Sequence, residues 1–176
     1  MKTFVTSDQH FFHDNIVKYC NRPVSAEYQN QFIVDSYNSV VSENDTCIFL
    51  GDLSCNLQGR EDELKELVSQ MNGTKILILG NHDHCSLDFY RSLFKEVYPE
   101  YMIIKNKFFS HYTLFANSKY SLEYDNKLIK IFKENNCKEI YHGHIHEKSS
   151  DNWADGYKRI NSCVDYNNFL PVLVDF

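Results

Sequence analysis

At 176 residues, with 43% hydrophobic and 24% charged side chains, the chain has the size and make-up of one soluble globular domain. A formal net charge of −6, with no dense block of Lys or Arg, argues against gripping long nucleic acid, because phosphate contacts demand a basic footprint. No apolar run approaches about 20 residues, so no transmembrane helix is expected.

The chain opens directly on a strand pattern, Lys2–Ser7, without the apolar core or cleavage site of a signal peptide; a cytoplasmic protein is expected. Ala26–Val41 places Phe32, Ile33, Tyr37, Val40 and Val41 at helical spacing. Thr46–Leu50 reads as a short buried strand, Arg60–Met71 as a helix, and Lys75–Leu79 as a further strand. Leu87–Val97 reads as a helix, followed by a hairpin of Tyr101–Lys105 and Lys107–His111 around Asn106. Asp125–Asn136 is helical, Glu139–His142 a strand, and Tyr157–Asn161 and Val172–Phe176 are closing strands. The lysines at 127, 130, 133 and 138 read as a solvated face. Such alternation predicts an α/β layered domain spanning residues 1–176, with site residues at the carboxyl ends of strands. The six cysteines (Cys20, Cys47, Cys55, Cys85, Cys137, Cys163) form no C-x-x-C pair, which argues against structural zinc and a disulfide framework. They read as reduced thiols packed as small hydrophobes.

Polar clusters stand where hydrophobic runs end: Asp8-Gln9-His10, Gly51-Asp52, Gly80-Asn81-His82-Asp83 and Gly143-His144-Ile145-His146, with His111 isolated between the last two. Sequence-distant Asp, Asn and His residues at strand ends are what a dinuclear metal site needs. Asp8 and His10 are two apart, so both can point to one side, and His144 and His146 share that spacing. Carboxylate, imidazole and amide donors without thiolate suit Mn²⁺, Fe, Zn²⁺ or Co²⁺.

In that order the blocks resemble the signature of the calcineurin-like metallophosphoesterase family: D-x-H, G-D, G-N-H-D/E, H and G-H-x-H. The resemblance implies a four-layer α/β/β/α sandwich and two divalent ions, manganese favoured. One ion would be held by Asp8, His10 and His146, the other by Asn81, His111 and His144, with Asp52 bridging. A hydroxide between the ions would be the nucleophile. His82 would assist the leaving oxygen, with Asp83 fixing its tautomer. Neither His84 nor His142 matches a ligand position.

Two departures stand out. Phe109-Ser110-His111-Tyr112-Thr113 lacks the proline often found after this ligand histidine. Asn161-Ser162-Cys163-Val164-Asp165-Tyr166-Asn167-Asn168 is similar to an N-x-G-V-D-x-N-N run of small bacterial and phage members, with Cys163 in the glycine's place. The resemblance implies hydrolysis of a phosphodiester or phosphomonoester, nucleotide-type phosphodiesters first. His13, Asn15 and Arg22 are candidate substrate contacts, Arg22 through a bidentate guanidinium–phosphate pair; the alternative is that Arg22 pairs with a surface carboxylate and Asn15 caps the following helix. The alternatives are a non-catalytic metal-binding scaffold of the same fold, which the intact His82 opposes, and a DNA or RNA nuclease, which the short acidic chain opposes.

Overall fold

The first strand, β1 (Thr3–Thr6), is buried on both faces, and this sets the architecture. Phe4 enters one apolar cluster and Val5 another, as successive side chains of a strand must. The same double burial recurs in β2 (Thr46–Phe49) and β3 (Thr74–Ile78), which join β1 in parallel. The computed structural model describes residues 1–114, 122–146, 153–154 and 156–176. Its first sheet is completed by a parallel edge strand, β4 (Glu96–Tyr98), and an antiparallel one, β10 (Val172–Leu173), in the order β10-β1-β2-β3-β4.

The second sheet contains β5 (Tyr101–Ile104), β6 (Lys107–Ser110), β7 (Glu139–His142), β8 (Trp153–Ala154) and β9 (Tyr157–Asn161), ordered β5-β6-β7-β9-β8. β5 and β6 form the expected antiparallel hairpin, and β6, β7 and β9 run parallel. Val5, Ile48 and Ile78 of the first sheet interlock with Met102, Phe109, Tyr141 and Ile160 of the second. Apolar residues such as Phe4-Val5, Ile48-Phe49 and Leu77-Ile78 therefore stand next to one another in the central strands, one facing each layer.

Helices close the two outer faces. α2 (Gln29–Asn38), α3 (Glu61–Ser69) and α4 (Leu87–Arg91) place Ile33, Tyr37, Leu64, Val68 and Tyr90 against Phe4, Phe49 and Leu77. α5 (Leu122–Glu134) places Leu128 and Phe132 against Phe108 and Ile140. The layers are thus α/β/β/α, as the resemblance implies. A short α1 (Ile16–Tyr19) follows the first polar cluster. Among the described residues no helix is long and apolar enough to cross a membrane.

The helix expected over Leu87–Val97 is half that length. Ser86 caps it, its hydroxyl accepting from Phe89 N at 3.2 Å, and it ends at Arg91. The chain then turns so that Phe94 packs edge-on against Phe49 at 5.4 Å and Glu96–Tyr98 pairs with β3. Apolar residues in so short a stretch satisfy both periods, and tertiary packing decides.

Ile48 lies on β2 between the sheets with no exposed surface. We expect Ile48→Ala to lower stability by about 2–5 kcal/mol in denaturant unfolding, the range for emptying a well-packed aliphatic site. A loss well under about 1 kcal/mol would mean that the inter-sheet layer is loosely packed.

Candidate metal centre

The segments leaving β1, β2, β3, β6 and β7 converge. Backbone bonds hold them together: Asp8 N to Gly51 O, His10 N to Asp52 O and Gly143 N to His111 O, each 3.0 Å. The fit is tight enough to exclude side chains at two points. A Cβ on Gly80 would collide with Asp52, and one on Gly143 with the Ser7 hydroxyl and the Asp8 carboxylate. The glycines of the sequence blocks are therefore there for close approach.

Asp8, His10, Asp52 and His144 adopt left-handed backbone, with φ of 62°, 50°, 52° and 68°. Each such residue costs roughly 1–2 kcal/mol relative to a right-handed one. Asp8 and His10 lie beyond the end of β1, so the turn, not strand alternation, brings them to one side.

Two donor clusters result. Asp8, His10 and His146 bring ligand atoms within 4.8 Å of one another, and so do Asp52, His111 and His144. Asp52 Oδ2 joins them, 3.6 Å from His10 Nε2 and 3.6 Å from His111 Nε2. Asn81 Oδ1 lies 3.0 Å from His111 Nε2. All seven expected ligand residues are thus in one place.

The donor chemistry fits divalent cations. His111 Nδ1 donates to the Leu50 carbonyl at 2.7 Å, so Nε2 is the nitrogen that faces the oxygens of Asn81 and Asp52. A divalent cation placed there would meet one nitrogen and two oxygen donors. Burial lowers the pKa of His10 to about 3, so its imidazole is neutral and able to ligate. Burial likewise lowers that of His144. Burial opposes ionisation of Asp8, but His111, His146, His10 and the Ser7 hydroxyl outweigh it and hold the carboxyl below its usual range. Neutral imidazoles with ionised carboxylates are the ligating forms.

His82 is exposed at the rim, its ring edge-on to that of His10 at 5.4 Å. Its backbone N–H donates to Asp52 Oδ1 at 2.8 Å. Asp83 does not orient it. The Asp83 carboxylate is buried and accepts from Asp52 N (2.9 Å), Gly80 N (2.8 Å) and Leu53 N (3.0 Å), tying the β2 and β3 loops together. Burial raises its pKa to about 6 against those backbone donors. The expected tautomer-fixing role is therefore replaced by a scaffolding one.

Arg22 requires a second correction. It is 6% exposed, and its guanidinium is saturated by protein. Nε and Nη2 donate to the two oxygens of Asp165 at 2.8 and 3.0 Å, Nη1 to Gln9 O and Gln29 Oε1, and Nη2 also to Asp8 O. No donor is left to read a phosphate. His13 and Asn15 keep an outward aspect: His13 is half-buried with its ring 5.7 Å from that of His10. Asn15 is exposed at the start of α1 and makes no side-chain cap bond. His84 is exposed beside His82, and His142 is buried outside both clusters.

Three residues were not singled out from sequence. Asp165 Oδ2 stands 2.7 Å from His146 Nδ1, fixing the proton there and turning Nε2 toward Asp8 and His10. Burial opposes its ionisation, yet His146 and Arg22 hold its pKa down at about 2. Ser7 donates its hydroxyl to Asp8. Tyr112 sets its ring 4.9 Å from those of both His111 and His144. Only Asp165 left a sequence signal, in the N-x-x-V-D-x-N-N run.

Residues 1–155 match the calcineurin-like phosphoesterase family, to which this chain belongs; it is a metal-dependent phosphoesterase, a hydrolase. It is 33% identical to the uncharacterized protein MJ1445 of Methanocaldococcus jannaschii over 178 residues, 99% of this chain and 88% of that protein. The solved structure of AQ665 from Aquifex aeolicus, a protein of unknown function, aligns with a TM-score of 0.81 at 25% identity, covering 98% of this chain and 95% of that one. Phosphopantetheinyl hydrolase from Mycobacterium tuberculosis shares the fold, with a TM-score of 0.50 at 13% identity over 96% of this chain and 90% of that one.

Arg22→Lys keeps the charge and breaks the fork. We expect a stability loss of about 1–3 kcal/mol, since buried acceptors lose charged partners, with the KM for a small phosphoester little changed. A raised KM at unchanged thermal stability would return Arg22 to the substrate.

Proposed function

We propose that this chain hydrolyses a phosphodiester or phosphomonoester of a small, nucleotide-type substrate at a dinuclear centre. Asp8, His10 and His146 would hold one divalent ion, and Asn81, His111 and His144 the other, with Asp52 bridging. The observation that carries this is the position of Asp52 Oδ2, equidistant at 3.6 Å from a histidine of each cluster. Manganese is favoured among Mn, Fe, Zn and Co. Bound there, two divalent ions would supply Lewis acidity and neutralise the phosphoryl charge.

The protein's own groups supply the rest. Asp165 and the Leu50 carbonyl hold the ring protons of His146 and His111 outward, so that Nε2 faces the centre in each. His82 stands exposed at the rim beside His10, where its imidazole would give a proton to the leaving oxygen. His13 and Asn15 would contact the remainder of the substrate. The ring of Tyr19, 75% exposed and 6.2 Å from that of His13, offers a stacking surface for a base. The net charge of −6 supports a small phosphorylated substrate over long nucleic acid.

A panel of nucleotide monoesters and diesters, assayed with Mn²⁺ on the protein and on His82→Ala, tests the reading. We expect His82→Ala to keep its metal content and lose roughly 10²–10⁴ in turnover, the loss shrinking for nitrophenyl esters, whose leaving group needs no proton. Equal losses for good and poor leaving groups would remove His82 from that role. Preference for a non-nucleotide phosphoester would overturn the substrate assignment.

A further inference from the structure

An imidazole that ligates a metal has to be held in its plane as well as in its tautomer. For two of the four imidazoles in the donor clusters a hydrogen bond does this. Asp165 Oδ2 meets His146 Nδ1, and the Leu50 carbonyl meets His111 Nδ1, each at 2.7 Å. His10 is walled in instead: it is 4% exposed, with the rings of His146, His82 and His13 at 5.1, 5.4 and 5.7 Å. His144 has neither support. Its backbone is fixed, the N–H donating to Asp8 Oδ2 at 2.9 Å, but among the described residues no hydrogen bond reaches its half-buried ring.

What touches that ring is aromatic. Tyr112 lies 4.9 Å from it at an interplanar angle of 65°, and the same Tyr112 lies 4.9 Å from His111 at 77°. His111 and His144 are themselves 5.1 Å apart at 68°. The three rings close a triangle of nearly equal sides, each pair steeply tilted. Edge-to-face contact is favoured at such separations, because a ring's edge is positive and its face negative. In a closed triangle no ring can turn without spoiling two contacts. We propose that Tyr112 is the positioning residue for the Asn81–His111–His144 half of the centre, its ring holding His144 in the plane from which it ligates. This role rests on the dinuclear function proposed above.

The chain path explains why one residue can serve both ligands. Tyr112 directly follows His111 in the loop after β6, and Gly143 N donates to His111 O at 3.0 Å, which sets the loop after β7 alongside. That backbone bond fixes the spacing of the two loops but not the rotation of the His144 ring, which is left to the ring contacts. The other half of the centre has its own supports: Ser7 donates to Asp8, rings surround His10, and Asp165 holds His146. Loss of the Tyr112 ring therefore loosens one half of the centre selectively. The contact is made by the ring, so phenylalanine serves in place of tyrosine.

Equilibrium dialysis of the full chain against graded Mn²⁺, counting ions bound per chain, tests this on the wild type, Tyr112→Leu and Tyr112→Phe. We expect two ions in the wild type. Tyr112→Leu, an apolar replacement without a ring at a half-buried position, should hold one ion as the wild type does. Its other ion should bind about 10–100-fold more weakly, the usual effect of losing a group that orients a metal ligand. Tyr112→Phe should match the wild type. Two ions of unchanged affinity in Tyr112→Leu would overturn the positioning role and leave the dinuclear function standing. Tyr112→Phe as weak as Tyr112→Leu would overturn it by moving the effect to the hydroxyl, and equal weakening of both ions would overturn it by showing general damage to the fold. A single ion in the wild type would overturn the dinuclear function and this role together.

Discussion

One carboxylate oxygen organises this molecule. Asp52 Oδ2 lies 3.6 Å from His10 Nε2 and from His111 Nε2, so the loops of both sheets have to arrive at one point within a few tenths of an ångström. The protein meets that demand with rigid strand ends rather than with long loops. It accepts left-handed backbone at Asp8, His10, Asp52 and His144, and it leaves no room for a side chain at Gly80 or Gly143. Such strain persists only where the surroundings over-determine it. Here the two-sheet core and the three backbone hydrogen bonds to the Asp83 carboxylate do so.

A second buried device steadies the open side of the centre. Arg22 ties the Asp8–Gln9 backbone to Asp165, and Asp165 holds His146. A carboxylate that fixes the tautomer of a ligating imidazole also raises its basicity. The arginine is fully used in this way, which links the loop after β1 to the segment after β9 across the two sheets. The isolated bridge between Ser7 and Cys163 joins the same two segments through backbone.

Much of this was legible in the sequence, and the limits have physical causes. Strand ends were readable because each hydrophobic run stops at a polar cluster whose residue types are dictated by ligand chemistry. β7 and β9 have the bounds read from periodicity alone. The second sheet was not, because alternation between two apolar layers looks like any buried strand. β4 was hidden in a helix-like run, where Phe94 packs on Phe49 and the chain leaves α4 at Arg91. Asp83 was misassigned, and Arg22 was left open between substrate and carboxylate, for a common reason. A charged residue beside a site motif is equally suited to substrate or to scaffold, and only the burial and the partner atoms distinguish the two. Asp165 stands in a readable run, but its pairing with His146 and Arg22 is a product of the fold.

The bridging position of Asp52 is the claim on which the account turns. Electron paramagnetic resonance of the protein loaded with two equivalents of Mn²⁺ reads it directly, because ions that share a carboxylate are spin-coupled and isolated ions are not. The account predicts a coupled dinuclear signal in the wild-type protein and the hyperfine pattern of isolated Mn²⁺ in Asp52→Ala. An isolated-ion pattern in the wild-type protein, or a coupled signal that survives Asp52→Ala, would contradict it.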